Sequence, residues 1–206
     1  MTILDIYTKY QIPPNLQRHQ LEVTAVGRYI CEHWQGEAIN TETITLALLL
    51  HDMGNIIKFK RPFLGELEKD AKQWEKVQEE YVQKYGSDVH TATNTIMKEL
   101  GVYEHIAYIV DNVGMVADPD VPKSNDALIA DYADMCVSPA GIVGFQERIQ
   151  DLVVRYGLTG NEEGIIMRRS DAIFIEKTVD VDLQKIREVD FSQEMEKLKN
   201  YTLVGK

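Results

Sequence analysis

The sequence predicts an all-α fold, and three features lead to that prediction. Apolar residues recur at intervals of three and four along most of the chain, which is the period of an amphipathic helix. Glycine, proline and capping residues separate these segments by short turns. Strand-like alternation is confined to one stretch, from Ile173 to Val181. We therefore expect a helical bundle in which at most one short β-hairpin interrupts the helices.

Each predicted helix is bounded by residues that begin or end helices. Pro14 suits a first helical position, Ser124 suits an N-cap, and glycines such as Gly36, Gly54 and Gly101 suit helix ends. In chain order, the predicted helices run from about Leu16 to Trp34, from Asn40 or Thr41 to Gly54, from Leu67 to Tyr85, from Asp88 to Leu100, from Tyr103 to Val116, from Ser124 onward, and from about Ile142 to Tyr156.

The domain organisation follows from the absence of a linker-like or repeated segment in the sequence. We expect residues 1–140 to form a helical core that binds a metal. Residues 141–206 are expected to form a helical extension that packs on the same domain. A chain of 206 residues is long enough to bury a full hydrophobic core in this way.

Composition and charge restrict the class of partner. The formal net charge of −11 disfavours extended nucleic acid, because a negative surface repels a phosphate backbone. A basic leader is absent from the start of the sequence, and no run of about 18 apolar residues occurs, so we expect a cytoplasmic protein without a membrane anchor. Cys31 and Cys136 lie alone in apolar helical patterns, which is typical of buried reduced thiols.

Several ionisable residues lie on helix faces that should be buried. His19 shares a face with the apolar residues of its helix, Asp131 lies among apolar neighbours, and the pair His51 and Asp52 follows three leucines. Burying such groups without partners is costly, and one shared divalent metal ion would satisfy all of them. Two imidazoles and two carboxylates would also leave coordination positions open for water and substrate.

These residues resemble the HD-domain superfamily of metal-dependent phosphohydrolases. The resemblance consists of an early lone histidine, a His-Asp pair in LLLHDMGN and a later aspartate in LIADYADM, and it covers about Leu16 to Val137. It implies an all-α fold and hydrolysis of a phosphate ester in a nucleotide or other small phosphorylated metabolite. It also implies a divalent ion (Mn, Fe, Co, Ni, Zn or Mg) held by His19, His51, Asp52 and Asp131.

The chain departs from this family at the position three residues after the His-Asp pair. Many members carry Lys or Glu there for phosphate binding or proton transfer, whereas this chain has Asn55, which cannot act as a general acid. Lys58 is one helical turn further along and would hold the phosphate. Arg18, beside the first ligand, resembles an arginine of some nucleotidase members. Asp52, Lys58 and Arg18 are therefore the expected catalytic residues.

A second metal ion and two other functions remain open at this stage. His90, in DVHTATNTIMKELG, resembles a further ligand of two-metal members, and Asp111 could join it or simply face solvent. Two irons at these positions would fit a di-iron oxygenase of the same fold. The loss of a proton-transfer residue at Asn55 would fit a non-catalytic sensor or scaffold. Asp134 could orient a ligand or simply be solvated.

The amphipathic helix from Leu67 to Tyr85 is most simply a packed helix. Trp74 and Tyr81 on this helix could also contribute to the surface of a homodimer. The expected partners are thus a small phosphorylated substrate and a second copy of the chain.

Overall fold

The computed structural model describes residues 1–59, 70–114, 123–160 and 162–203. This part of the chain is all-α, as predicted, with short 3₁₀ helices at Asn55–Lys58 and Leu183–Glu188. The α-helices are α1 (Ile3–Lys9), α2 (Pro14–Glu32), α3 (Thr41–Leu50), α4 (Ala71–Tyr85), α5 (Val89–Glu99), α6 (Tyr103–Asp111), α7 (Asn125–Asp134), α8 (Phe145–Tyr156), α9 (Glu163–Thr178) and α10 (Ser192–Lys199).

The predicted helix ends agree with the caps that the structure shows. Asn40 caps α3 by accepting a hydrogen bond from the backbone N–H of Thr43, and Asp88 and Ser124 cap α5 and α7 in the same way. Gly157 ends α8 in the left-handed conformation that glycine adopts without strain. The predicted helical segments 67–69 and 115–116 lie outside the described residues.

The centre of the fold is formed by α2, α3 and α7, which pack on one another. Helix α3 is apolar on most sides, and Leu48, Leu49 and Leu50 are fully buried. Gly27 of α2 lets the two helices approach closely, because a Cβ atom there would lie 2.3 Å from Cδ1 of Leu48. This packing places the end of α3 against the middle of α2.

The C-terminal helices pack on the same centre. Helix α9 lies against α7, and α10 lies against α2, where Arg28 and Glu194 form an ion pair of 2.6 Å. Isolated β-bridges join Thr2 to Thr202 and Trp34 to Val179. The proposed boundary at residue 140 stays a prediction.

The strand-like alternation from Ile173 to Val181 does not correspond to a strand. Residues 173–178 continue α9, and only Val179 takes part in a β-bridge. Apolar residues lie on two sides of α9, and this two-sided pattern imitates the alternation of a strand. The hairpin in the described part of the chain pairs Val137–Ser138 with Gly141–Ile142, so α8 begins at Phe145, later than predicted.

Within the described residues, no helix combines the length and the apolar character needed to cross a bilayer.

Candidate metal centre

Two histidines and two aspartates from three separate parts of the chain meet beside α2. Nε2 of His19 lies 3.1 Å from Oδ1 of Asp134 and 3.6 Å from Oδ2 of Asp52. Nε2 of His51 lies 3.6 Å from the same Asp134 oxygen and 3.8 Å from the same Asp52 oxygen. Atoms that share one metal ion at bond lengths of about 2.1 Å stand about 3 to 4 Å apart. His19, His51 and Asp134 could therefore hold a metal ion.

The orientation of the His51 ring is fixed by the backbone of its own helix. Its Nδ1 donates a hydrogen bond of 2.7 Å to the carbonyl oxygen of Leu48, so the other ring nitrogen, Nε2, points at the two carboxylates. This Nε2 atom is buried and has no hydrogen-bond partner among the described residues. Buried polar atoms normally have a hydrogen-bond partner. A ring nitrogen that is oriented in this way but lacks one is typical of a metal ligand without its ion.

The turn that carries Asp52 is held from two sides. The backbone N–H of Asp52 donates to Oε1 of the fully buried Gln20, at 3.3 Å. Two residues later, the N–H of Gly54 donates to Oγ1 of Thr93 on α5, at 2.9 Å. A Cβ atom on Gly54 would lie 2.3 Å from the carbonyl oxygen of Val89, so only glycine fits this close approach. Helix α3 thus stops where its last residues can face α2.

The carboxylate that α7 contributes is Asp134, whereas the sequence predicted Asp131. These two residues lie three positions apart in LIADYADM, and a turn of an α-helix separates their side chains by about 5 Å along its axis. The structure brings Asp134 to both imidazoles and places Asp131 elsewhere. Asp131 is therefore corrected as a ligand candidate, and the residue predicted only to orient a ligand takes its place.

The Asp131 carboxylate is surrounded by two cationic side chains and a backbone N–H. Its Oδ2 accepts a hydrogen bond of 3.0 Å from Nζ of Lys123, and its Oδ1 accepts one of 3.1 Å from the backbone N–H of Gly114. The guanidinium of Arg168 lies 3.6 Å from Oδ1, and Asp171 lies 3.9 Å from the Lys123 ammonium. These residues form an ion-pair network, and a carboxylate with such partners has no need of a metal.

When no metal is bound, the charge at the centre of the cluster depends on whether His51 carries a second proton. Burial lowers the pKa of His51, but the charges of Asp52 and Asp134 outweigh it and raise that pKa to about 9. Burial also raises the pKa of Asp134, yet the electrostatic interactions of its carboxylate with His19 and His51 hold it well below its usual range. The cluster therefore favours positive charge at its centre, and a divalent cation supplies that charge directly.

The other predicted site residues lie outside this group. His90 and Asp111 do not join it in the described part of the chain, and Asp111 is exposed and accepts a hydrogen bond from Asn94 at 3.2 Å. Lys58 ends its 3₁₀ helix with an exposed side chain. Arg18, on α2 beside His19, lies 4.0 Å from a carboxylate oxygen of Glu22 and donates to the carbonyl oxygen of Pro139 at 3.4 Å.

Two residues of the centre were missed or misassigned from the sequence. The motif LIADYADM contains Ala-Asp twice, so the choice between Asp131 and Asp134 depended on which of two carboxylates, one turn apart on the same side of α7, lies beside the histidines. The ion pair that distinguishes Asp131, with the buried side chain of Lys123, is visible only in the folded chain. Gln20 gave no sequence signal, since a polar residue next to His19 is expected to be exposed.

Comparison with known proteins leaves the family undecided. No family model matches the chain, no curated protein matches it, and no solved structure matches it.

Proposed function

We propose that this chain is a metal-dependent phosphohydrolase of the HD type, acting on a nucleotide or another small phosphorylated metabolite. One observation carries the proposal: the buried Nε2 of His51 lacks a hydrogen-bond partner in the described residues and faces Asp52 and Asp134. His19 completes the set from α2. The early histidine, the His-Asp pair and a late aspartate thus converge in the order that the resemblance implies.

The donor types suit a catalytic ion. Imidazole nitrogens and carboxylate oxygens bind Mn, Fe, Co, Ni and Zn ions, and Mg favours the oxygens. When bound, such a metal lowers the pKa of coordinated water and neutralises charge on phosphoryl oxygens. His19, His51, Asp52 and Asp134 would hold the ion. The side chains of His19, Asp52 and Asp134 are 20%, 21% and 15% exposed, which leaves a route for water and substrate to this side of the centre.

The other residues of the chain have positioning roles in this proposal. Gln20 holds the backbone of Asp52 and thereby orients its carboxylate. Arg18 and Lys58 supply positive charge for the phosphate, since Arg18 is next to His19 and Lys58 follows the turn after Asp52. Asn55 is buried and cannot transfer a proton at neutral pH, so a proton for the leaving group has to come from another group or from water.

The experiment combines metal analysis with a substrate panel. Protein loaded separately with Mn²⁺, Co²⁺, Ni²⁺ or Mg²⁺ is incubated with nucleotides and sugar phosphates, and released phosphate is measured. We expect release by the wild type, and none by His51→Ala. The matched control is His105→Ala, because His105 is an exposed histidine of α6 and lies outside the cluster.

Two outcomes would overturn the phosphohydrolase proposal. A metal-loaded wild type that releases no phosphate from any substrate would favour the sensor or scaffold. Two equivalents of iron after anaerobic purification, with oxygen consumption, would favour the di-iron oxygenase. We expect one equivalent of metal, because neither His90 nor Asp111 joins the cluster of the described residues.

A further inference from the structure

Helix α9 exposes large apolar side chains on the side that faces away from the core. The exposed fractions are 55% for Ile166, 53% for Ile173 and 44% for Phe174, whereas Ala172 and Ile175 on the other side are buried. A surface helix of a monomer normally carries polar residues on its outer side. Helix α9 thus has one apolar side against α7 and a second apolar side at the surface.

The exposed residues follow one continuous helical stripe. They recur at intervals of three and four and so lie within about a third of the helix circumference. All are exposed except the half-buried Met167. We call this stripe the α9 face; its members are Glu163, Ile166, Met167, Ser170, Ile173, Phe174 and Lys177.

We propose that the α9 face binds the same face of a second copy of this chain, with the two helices antiparallel and a twofold axis beside Ser170. Symmetric dimers of this kind bury one patch against itself, so the patch must be complementary to itself. The α9 face meets this condition, because its residues are arranged symmetrically by type about Ser170.

The pairing follows from counting outward from the axis. Positions three residues before and after Ser170 are Met167 and Ile173, and positions four residues away are Ile166 and Phe174. In the antiparallel pair, each of these apolar residues meets its apolar counterpart in the second copy. The small Ser170 side chain lies at the crossing point, where it allows the helix axes to approach.

Charge complementarity fixes the antiparallel direction. Glu163 and Lys177 lie seven residues before and after Ser170, at opposite ends of the α9 face. In the antiparallel pair, Glu163 of each copy meets Lys177 of the other, which gives two ion pairs. A parallel pair would bring Glu163 to Glu163 and Lys177 to Lys177, and like charges across an interface disfavour that arrangement.

The expected association is weak. A helix of 16 residues is about 24 Å long, and one helix pair buries less than the roughly 800 Å² per partner of a standard stable interface. Dimer formation should therefore depend on concentration in the micromolar range or above. It does not depend on the proposed function, because none of the α9 face residues belongs to the metal cluster.

The sharpest test uses two charge reversals, measured by sedimentation velocity over a concentration series. Glu163→Lys makes both contacts repulsive between its own copies, and Lys177→Glu does the same. Each variant alone should lose at least about tenfold in dimer affinity. A mixture of the two variants restores both ion pairs, so an equimolar mixture should dimerise as the wild type does. Circular dichroism of each variant checks that α9 still folds.

A cysteine on the symmetry axis tests the position of the crossing. Ser170→Cys should form a disulfide with its own copy under mild oxidation, because both cysteines lie beside the axis. Ser87→Cys, at an exposed position after α4, is the matched control and should not. Ile173→Lys should abolish the dimer, whereas Val82→Lys, at an exposed apolar position of α4, should leave it unchanged.

Three outcomes would overturn the proposed α9 dimer. A wild type that is monomeric at every concentration shows that no second copy binds this face, and a different protein then becomes its candidate partner. A dimer that survives Ile173→Lys uses another surface. Failure of the mixed charge variants to dimerise, when the wild type does, excludes the antiparallel pairing.

Discussion

Asp131 and Asp134 lie one turn apart on α7 and are both largely buried, yet their partners are of opposite kinds. Asp131 faces the Lys123 ammonium, the Arg168 guanidinium and a backbone N–H, all of which are donors. Asp134 faces ring nitrogens of His19 and His51. A neutral imidazole nitrogen that lacks a proton is an acceptor, so it cannot satisfy a carboxylate unless a proton or a metal lies between them. The partner, and not the burial, distinguishes an aspartate in an ion pair from one that could bind a metal.

The largest expected effect comes from removing the aspartate that faces the histidines. Asp134→Asn should lower phosphate release at least about 1000-fold, equivalent to about 4 kcal/mol, because a neutral amide is a poor ligand for a divalent ion. Metal content after dialysis, measured by elemental analysis, should fall together with activity. Full metal occupancy in Asp134→Asn would show that this carboxylate is not a ligand.

The corresponding substitution of Asp131 should lower the stability of the fold. Asp131→Asn removes the nearer countercharge of the buried Lys123 and leaves only Asp171, at 3.9 Å, and breaking a buried pair in this way costs about 3 kcal/mol of unfolding free energy. Urea denaturation of the metal-free variant measures the loss. The double variant Asp131→Leu with Lys123→Met should recover most of it, since neither charge is then buried alone. A single variant as stable as the wild type would contradict the network.

One measurement of stabilisation by metal should show which of the two aspartates, Asp131 or Asp134, is a ligand. At a metal concentration of 100 times the dissociation constant, the ion should raise the unfolding free energy by about 2.7 kcal/mol. We expect this increase in the wild type and in Asp131→Asn, and expect it to vanish in Asp134→Asn. The chelated protein serves as the reference in each case. Equal responses from both variants would remove the distinction between the two residues.

Substitution of Gln20, which accepts a hydrogen bond from the backbone N–H of Asp52, should have a smaller effect. Gln20→Leu removes the acceptor of the Asp52 backbone N–H but none of the ligands, so metal affinity should fall about tenfold. Competition with a fluorescent chelator measures the affinity. Gln20→Glu keeps an acceptor and should lose less metal affinity. If both variants bind the metal as tightly as the wild type, Gln20 has no positioning role.

The smallest effect is expected at the residues that the sequence suggested for a second ion. His90→Ala and Asp111→Ala should leave metal affinity and the number of bound equivalents within about twofold of the wild type, as is usual for substitutions away from a site. A loss of one equivalent of metal in either variant would restore the two-metal interpretation.

The sequence predicted helices α2 to α8 and three of the four clustered side chains, because helical period, caps and the His-Asp pair are local signals, whereas α1, α9 and α10 were not predicted. Asp134 could not be chosen over Asp131, since both lie on the same side of α7 and only the placement of Lys123 and Arg168 separates them. The strand-like alternation at 173–181 was misleading for a related reason. The second apolar side of α9 lies at the surface, and the local sequence pattern alone could not distinguish it from the alternation of a strand.

The carbonyl oxygen of Leu48, which orients His51, is an uncharged acceptor. Histidines that ligate metals are often backed by carboxylates instead, which make the ring more basic. If His51 binds a metal ion, its ring would lack that carboxylate and would pass less electron density to the ion. Such an ion would keep more of its electrophilic character for a substrate, while the backbone of a single helix turn sets the tautomer of His51 in advance.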